Sequence, residues 1–414
     1  MGSTLGEAEI DAITKLLESG QPLSQGRMRS RFEREFAALV GARHALSLTS
    51  GTVALAFAVR LLDLAPGDEV IVTPQTYKAT IQPLLDYEVE VRFCDIDPNS
   101  MNLSPEAFAG LVTRRTKALF LVHYGGFPAE MDRIMQVARE YGVTVVEDCA
   151  HALGSRYRGR RPGALGDIGC FSFHSSKNIT TLGEGGMLTC SRDDWAARIE
   201  RIRSNDADGL YLRSDQLAHT PSRRWAVHSA QAYTHRCVQV RYSGSNATLS
   251  EPAAAVGVAQ LDRLPELVGR RQHIAERISA LLRGFPGVRV PAVPPDIDHA
   301  YHLYTFFVRP DSGVVRDQLL ARLEGLGVEM QLRYLPLHLQ PEWRHHGHAM
   351  GECPTAERLW FHEQVNLPCY PGMTDRQVEH LLGAVETALT EMSADHPPPL
   401  RYVSASTGVV PTSR

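Results

Sequence analysis

From Ala45 to Cys190, short runs of β-branched and apolar residues alternate with longer stretches whose apolar positions recur at helical spacing. That alternation is the pattern of successive βαβ units. It predicts strands at Ala45 to Leu48, Glu69 to Val72, Val91 to Cys94, Lys117 to Val122, Val143 to Glu147, Ile168 to Phe173 and Gly186 to Cys190. Between them, Thr52 to Leu62, Thr76 to Tyr87 and Glu130 to Tyr141 have helical spacing. The expected architecture is α/β, a mainly parallel sheet with helices on both faces, whose ligands gather at the carboxyl ends of the strands.

The rhythm breaks over residues 205–242, a stretch rich in Ser, Arg, Asp and His with isolated aromatics and no steady period. It is either a functional insertion or a plain surface one. After Ser250 a helical pattern carries Ala253 to Leu264 and continues past Pro265. Strands are then predicted at Val288 to Pro291, Leu303 to Val308 and Val328 to Leu332, with Ser312 to Leu326 helical between the last two. These periods divide the chain into a large domain at 21–267 and a smaller α+β domain at 268–392, which the N-terminal helix in 1–20 is expected to join. The segment 393–414, with Pro397-Pro398-Pro399 and a Ser/Thr-rich end, has the composition of a disordered tail.

Composition narrows the partners. Lys and Arg number 43 against 47 Asp and Glu, so no basic field points to nucleic acid or an anionic membrane, and a small molecule is the expected ligand. The seven cysteines are scattered without the spacing of a zinc site, and they read as reduced thiols of a cytoplasmic protein. No metal site is expected. Neither a signal peptide nor an apolar run of membrane-spanning length is visible.

Four local features offer chemistry. Ser50-Gly51-Thr52 follows a strand and opens a helix, where backbone N–H groups and hydroxyls can receive a phosphate, although the same residues describe an ordinary helix cap. In Val145-Val146-Glu147-Asp148-Cys149-Ala150-His151 an acidic residue ends an apolar strand; such a carboxylate can keep a pyridinium nitrogen protonated, or simply cap a turn. Lys177 lies between an apolar strand and the turn containing Gly183, Gly185 and Gly186, five residues after Ser172. An amine held there can form an imine with an aldehyde cofactor, while a solvated charge is the ordinary fate of a surface lysine. Tyr77, just after a strand, offers a ring for stacking or for packing.

Taken together these segments resemble the sugar aminotransferases of the DegT/DnrJ/EryC1/StrS family. The resemblance runs from about Glu7 to about Ala388 and includes Leu23-Ser24-Gln25-Gly26, Glu33 to Gly41, Gly244-Ser245-Asn246, Tyr334-Leu335-Pro336-Leu337-His338 and Asn366-Leu367-Pro368-Cys369-Tyr370-Pro371-Gly372. It implies a fold-type I enzyme using pyridoxal 5′-phosphate, with the pyridoxamine form as intermediate. It implies Lys177 as the Schiff-base lysine and Asp148 as partner of the pyridine nitrogen. Ser50, Gly51, Thr52 and Ser172 match phosphate-binding positions, Tyr77 the stacking aromatic, and His151 the residue near the ring hydroxyl. Asn246 matches a residue given to the phosphate by the neighbouring subunit, which implies a homodimer with shared active sites.

The implied reaction is amino transfer from glutamate or glutamine to a keto-sugar, nucleotide-linked, or to a keto-cyclitol, in amino-sugar or antibiotic biosynthesis. A sugar dehydratase on the same scaffold is a rival, but related dehydratases replace the lysine with histidine. A non-catalytic cofactor-binding regulator would be marked by loss of Lys177 or Asp148, and both are present. The chain departs from the family at Thr248, where an arginine is common, and in the length of 205–242. There Arg213, Arg223, Arg224 and His228 offer either a diphosphate contact or a solvated basic face.

Overall fold

The computed structural model describes residues 2–213 and 235–395. Residues β1 (His44–Leu48), β2 (Glu69–Val72), β3 (Glu90–Phe93), β4 (Thr116–Val122) and β5 (Thr144–Asp148) are strands of one sheet. The two-residue β6 (Arg156–Tyr157) lies outside it, and β7 (Ile168–Ser172) and β8 (Gly186–Cys190) complete it in the order β1-β8-β7-β5-β4-β2-β3. Only β8 runs against its neighbours, pairing antiparallel with both β7 and β1. The sheet is therefore mixed but mainly parallel, as the βαβ rhythm predicts.

The central strands are fully buried instead of alternating: Val70, Ile71 and Val72, and Leu119, Phe120 and Leu121, have no exposed surface. Continuous apolar runs of this kind belong to strands covered on both faces. On one side α3 (Gly51–Leu61) and α6 (Asp193–Arg203) bring Ala54, Ala58 and Ile199 against Val70 and Phe120. On the other, α4 (Pro105–Leu111) and α5 (Met131–Tyr141) set Phe108, Ile134 and Ala138 against Ile71, Leu119 and Leu121.

The long helix Glu251–Leu282 passes from one core to another. Ala254, Val258, Leu264 and Val268 pack with Phe32 and Phe173, whereas Ile274, Ile278 and Leu282 pack with the C-terminal residues Tyr304, Phe306 and Leu381. The second core backs a three-stranded sheet of β11 (Val288–Arg289), β13 (Tyr304–Val308) and β14 (Gln364–Leu367); the short β12 (Ile297–Asp298) pairs with β6.

Several expectations differ from the structure. Thr76 to Tyr87 forms two 3-10 turns, Lys78–Thr80 and Gln82–Asp86, not a helix. Pro83 has no N–H to continue a ladder, and the Thr80 side chain is drawn to Asp148. Residues 328–332 are irregular, and β14 supplies the third strand of the small sheet. Gln364 and Asn366 of β14 instead bond the backbone of Arg333, so the preceding segment crosses as a loop.

The N-terminal helix α1 (Glu7–Glu18) lies on the first half of Glu251–Leu282, not on the C-terminal core. Its buried Glu9 carboxylate would be costly without donors, and it receives Gln260 at 2.6 Å and Arg263 at 2.9 Å. In the expected insertion, β9 (Asp208–Arg213) pairs antiparallel with β10 (His235–Tyr242). Arg223, Arg224 and His228 lie outside the described residues, as does the side chain of Arg213. The final helix Asp375–Asp395 continues past the expected start of the tail, and 396–414 lie outside the described residues.

Candidate active site

The carboxyl ends of β5 and β7 lie side by side, with Asp148 paired to Cys170 and Ser172 two residues further along β7. Ser50 follows β1 as the N-cap of α3, its Oγ accepting the Val53 N–H at 3.2 Å. The cap reading therefore holds for this side chain. The first N–H groups of a helix still lack intrahelical partners, and with the helix dipole they favour an anion.

Close backbone contact brings these pieces together. A Cβ on Gly51 would lie 2.8 Å from Ser172 Cβ, and one on Gly186 2.3 Å from the carbonyl carbon of Ser50. Only glycine allows the turn before α3 to press onto the ends of β7 and β8. Ser172 thus adjoins the start of α3, where Thr52 is exposed. The Ser172 Oγ also accepts the His174 N–H at 3.4 Å.

The two acidic residues ending β5 point to opposite faces, as strand alternation requires. Glu147 is spent on structure: its carboxylate accepts the Gly163, Leu165 and Gly166 N–H groups at 3.0, 3.0 and 2.6 Å and faces His123 Nε2 at 2.8 Å. Asp148 faces the other way and is 5% exposed. Its Oδ1 accepts the Ala150 N–H at 2.9 Å, so it does cap a turn, while Oδ2 accepts the Thr80 hydroxyl at 2.6 Å.

Lys177 follows β7 in a turn closed by its own N–H, which donates to the His174 carbonyl at 2.8 Å. Gly183, at φ 115°, supplies backbone freedom for the return toward β8. Burial lowers the Lys177 amine from 10.5 to about 8; the Asp148 carboxylate acts against this shift and the Arg333 guanidinium adds to it. Lys177 is partly buried, so it is not a fully solvated surface charge, and desolvation is the largest cause of its lowered basicity.

His151 is 2% exposed. Its Nδ1 accepts the Gly125 N–H at 3.3 Å, which assigns the proton to Nε2, 3.3 Å from the Tyr334 hydroxyl. Burial first, then the charges of Lys177, Arg333 and Arg271, push its pKa well below the ordinary histidine value, so the ring is neutral. It stacks on His302 with centroids 4.2 Å apart. His302 faces the Asn178 Oδ1 at 3.0 Å, and the Asn178 amide is anchored on the Leu153 carbonyl at 2.8 Å. Tyr77 is 51% exposed, with its ring centroid 5.9 Å from that of Tyr334.

Asn246 precedes Ala247, whose carbonyl accepts the Thr49 N–H at 3.1 Å just before Ser50. Asn246 itself is exposed, forms an isolated bridge with Ser204, and has no side-chain bond to the Lys177 group. Thr80, Asn178, His302 and Tyr334 were missed as site residues. Asn178 adjoins Lys177 and Tyr334 opens one of the family-like segments, so both carried a signal; Thr80 and His302 carried none.

A mainly parallel sheet that presents a lysine amine, a buried carboxylate and a helix N-terminus at one set of strand ends has the parts that an enzyme of the pyridoxal phosphate class needs. The family model of the DegT/DnrJ/EryC1/StrS aminotransferase family matches residues 3–386, and the chain belongs to that family. It is a pyridoxal 5′-phosphate-dependent aminotransferase.

Among its relatives is the spore coat polysaccharide biosynthesis protein SpsC of Bacillus subtilis (strain 168), 35% identical over 92% of this chain and 94% of the relative. GDP-perosamine synthase of Caulobacter vibrioides is 33% identical over 92% of this chain and 95% of its own. The crystal structure of the aminotransferase TlmJ from Streptoalloteichus hindustanus superposes with a TM-score of 0.80 at 32% identity, covering 94% of this chain and 98% of that one. Among the described residues, no helix is long and apolar enough to cross a membrane.

Proposed function

We propose that this chain moves an amino group from L-glutamate or L-glutamine to the keto group of a nucleotide-linked sugar. The observation that carries this reading is the placement of Lys177 in the turn after β7 and of the buried Asp148 at the end of the adjoining β5, both at the carboxyl ends of the strands. The nucleotide link is supported by likeness to an enzyme named for a GDP-sugar.

The residues present fit pyridoxal 5′-phosphate. Ser50, Gly51, Thr52 and Ser172 form a phosphate cradle too tight for a Cβ at Gly51, Asp148 offers a buried carboxylate to a ring nitrogen, and Tyr77 leaves a half-exposed ring for a flat partner. When bound, the cofactor supplies an aldehyde for the amino group and a ring that takes up the electron pair released at the donor's α-carbon.

The chain's own work is to hold and move protons. Lys177, poorly basic for a lysine, would take the proton from the donor's α-carbon and return it at the cofactor's C4′ once the cofactor is bound. Asp148 keeps the proton on the ring nitrogen, and its bonds to Thr80 and Ala150 fix its plane. Neutral His151, with its proton on Nε2, offers a donor at the ring hydroxyl. Asn246 acts in a homodimer by reaching the phosphate of the neighbouring subunit, a role suited to its exposure.

The test is a mass-spectrometric screen in reverse, in which nucleotide-linked amino sugars, free amino sugars and aminocyclitols are offered to the loaded enzyme. Nucleotide-linked amino sugars are expected to aminate the cofactor and yield the corresponding ketone. Reaction with aminocyclitols alone would overturn the nucleotide-sugar reading.

A further inference from the structure

Beside the Lys177 site lies a cavity of about 330 Å³ whose wall includes Ser176, His302, Arg271, Arg333 and Asn366. Neither arginine in that wall forms an ion pair with a carboxylate of the described residues. Arg271 is 1% exposed, gives Nη1 to the Cys369 carbonyl at 2.7 Å, and leaves Nε and Nη2 unpaired. The Arg333 guanidinium donates to the neutral Gln331 Oε1 at 2.5 Å, and Gln331 in turn donates its amide to Glu329 at 2.7 Å. Glu329, an acid in the same cavity wall, is thus held one side chain away from the guanidinium.

The backbone of Arg333 is fixed from both cores. Its N–H donates to Asn366 Oδ1 at 3.0 Å, and its carbonyl accepts from Gln364, Tyr124 and Gln75. A guanidinium so anchored, partly open to a cavity and lacking a counter-charge, raises the cost of nearby positive charge. It is one of the groups that hold the Lys177 amine low. That cost is recovered when an anion enters.

We infer that Arg333 receives the α-carboxylate of the amino-acid donor, displacing the Gln331 carboxamide as its partner. The inference rests on the aminotransferase reading. An α-carboxylate is one bond from the carbon whose proton Lys177 moves, so its receptor must lie beside that amine; Arg333 shares a cavity wall with Ser176, the neighbour of Lys177, and precedes Tyr334, whose hydroxyl is 3.3 Å from His151 Nε2. The diphosphate of a nucleotide sugar is several bonds from its reacting keto carbon and has no such requirement. A guanidinium fork matches a carboxylate in two parallel bonds. With the donor gone, the same N–H groups can serve the hydroxyls of the neutral sugar end.

The test compares wild type with Arg333→Gln and Arg333→Lys in the loaded enzyme. Because the backbone, not the side chain, carries the bonds to Gln75, Tyr124, Gln364 and Asn366, these substitutions leave the interdomain contacts in place. The first measurement is the single-turnover rate with whichever of L-glutamate and L-glutamine the wild type uses, set against the α-amide of that amino acid. The second is the calorimetric dissociation constant of glutarate, which reads the anion site without turnover.

Arg333→Gln is expected to lose about tenfold to a hundredfold with the free carboxylate, to lose little with the amide, and to weaken glutarate by a similar factor. Arg333→Lys, which keeps the charge without the fork, is expected to fall between. An unchanged glutarate constant together with an unchanged preference for the free carboxylate overturns the inference. If the wild type accepts no amino donor at all, the aminotransferase reading fails, and glutarate affinity still decides whether Arg333 is an anion receptor.

Discussion

The Thr80 hydroxyl donates to Asp148 Oδ2 at 2.6 Å across 68 residues of chain. Thr80 sits in a 3-10 turn after β2, and Asp148 ends β5, two strands away in the sheet. With the Ala150 N–H on the other oxygen, the carboxylate is held in one plane. Replacing Thr80 by Val keeps the shape and removes the donor. A buried charge that loses such a bond costs about 1–3 kcal/mol, to be read as a lower denaturant midpoint, and Thr80→Ser is expected to restore most of it. An unchanged midpoint would mean that water replaces the hydroxyl.

Asp148→Asn keeps the size of the side chain and deletes its charge. The donor half-reaction is expected to slow by about 10² or more, in the range of proton-holding groups, with the fold intact by circular dichroism. Wild-type single-turnover rates in this variant would remove Asp148 from the chemistry.

The titration of Lys177 has a sign that can be checked. In the cofactor-free protein its pKa is lowered from 10.5 to about 8 by burial. Below about pH 8 both folded and unfolded chains hold the proton, and the folded state bears the full cost of burying the charge. Between about 8 and 10.5 the unfolded chain binds the proton and the folded chain does not, so stability rises with pH across this window. Denaturant melts of wild type minus Lys177→Met are expected to show that rise, and a difference that stays flat over the window would contradict the shift. The neutral amine available for proton transfer grows over the same range.

Gly51→Ala tests the cradle. The new methyl carbon would stand 2.8 Å from Ser172 Cβ and 3.2 Å from the Phe171 carbonyl oxygen, so α3 or β7 must move. Overpacking of this kind costs about 1–3 kcal/mol, expected as a lower melting temperature, together with weaker retention of the cofactor in equilibrium dialysis. Retention at wild-type strength would separate Gly51 from the phosphate site.

The shared-site dimer predicts complementation. Inactive Asn246→Ala and Lys177→Ala chains, mixed and shown to form heterodimers, are expected to recover about a quarter to a half of wild-type activity, because one of the two sites carries neither substitution. Heterodimers that stay inactive would refute the contribution of Asn246 across the interface.

Much of the sheet was legible because its strands are buried on both faces: Glu69–Val72 and Thr116–Val122 announce themselves as apolar runs bounded by polar turns. Thr76 to Tyr87 keeps helical spacing in its sequence, but Pro83 and the pull of Asp148 on Thr80 break the segment into two turns. The stretch 328–332 has a β-like composition but forms no strand, because it leads into Arg333, whose backbone is claimed by the Gln364 and Asn366 side chains. Lys177 and Asp148 were visible because each ends or follows an apolar strand, where polarity is unexpected.

The sequence by itself determined the alternation of strands and helices, the glycine-dependent turns and the residue types that imine chemistry requires, since these follow from local sterics and from the burial of apolar runs. Only the tertiary structure decided how the Asp148 carboxylate is buried and bonded, how burial lowers the basicity of the Lys177 amine, and that His302, Tyr334 and Arg333 lie beside them. Those depend on distance and desolvation between segments far apart in the chain, which no local pattern records.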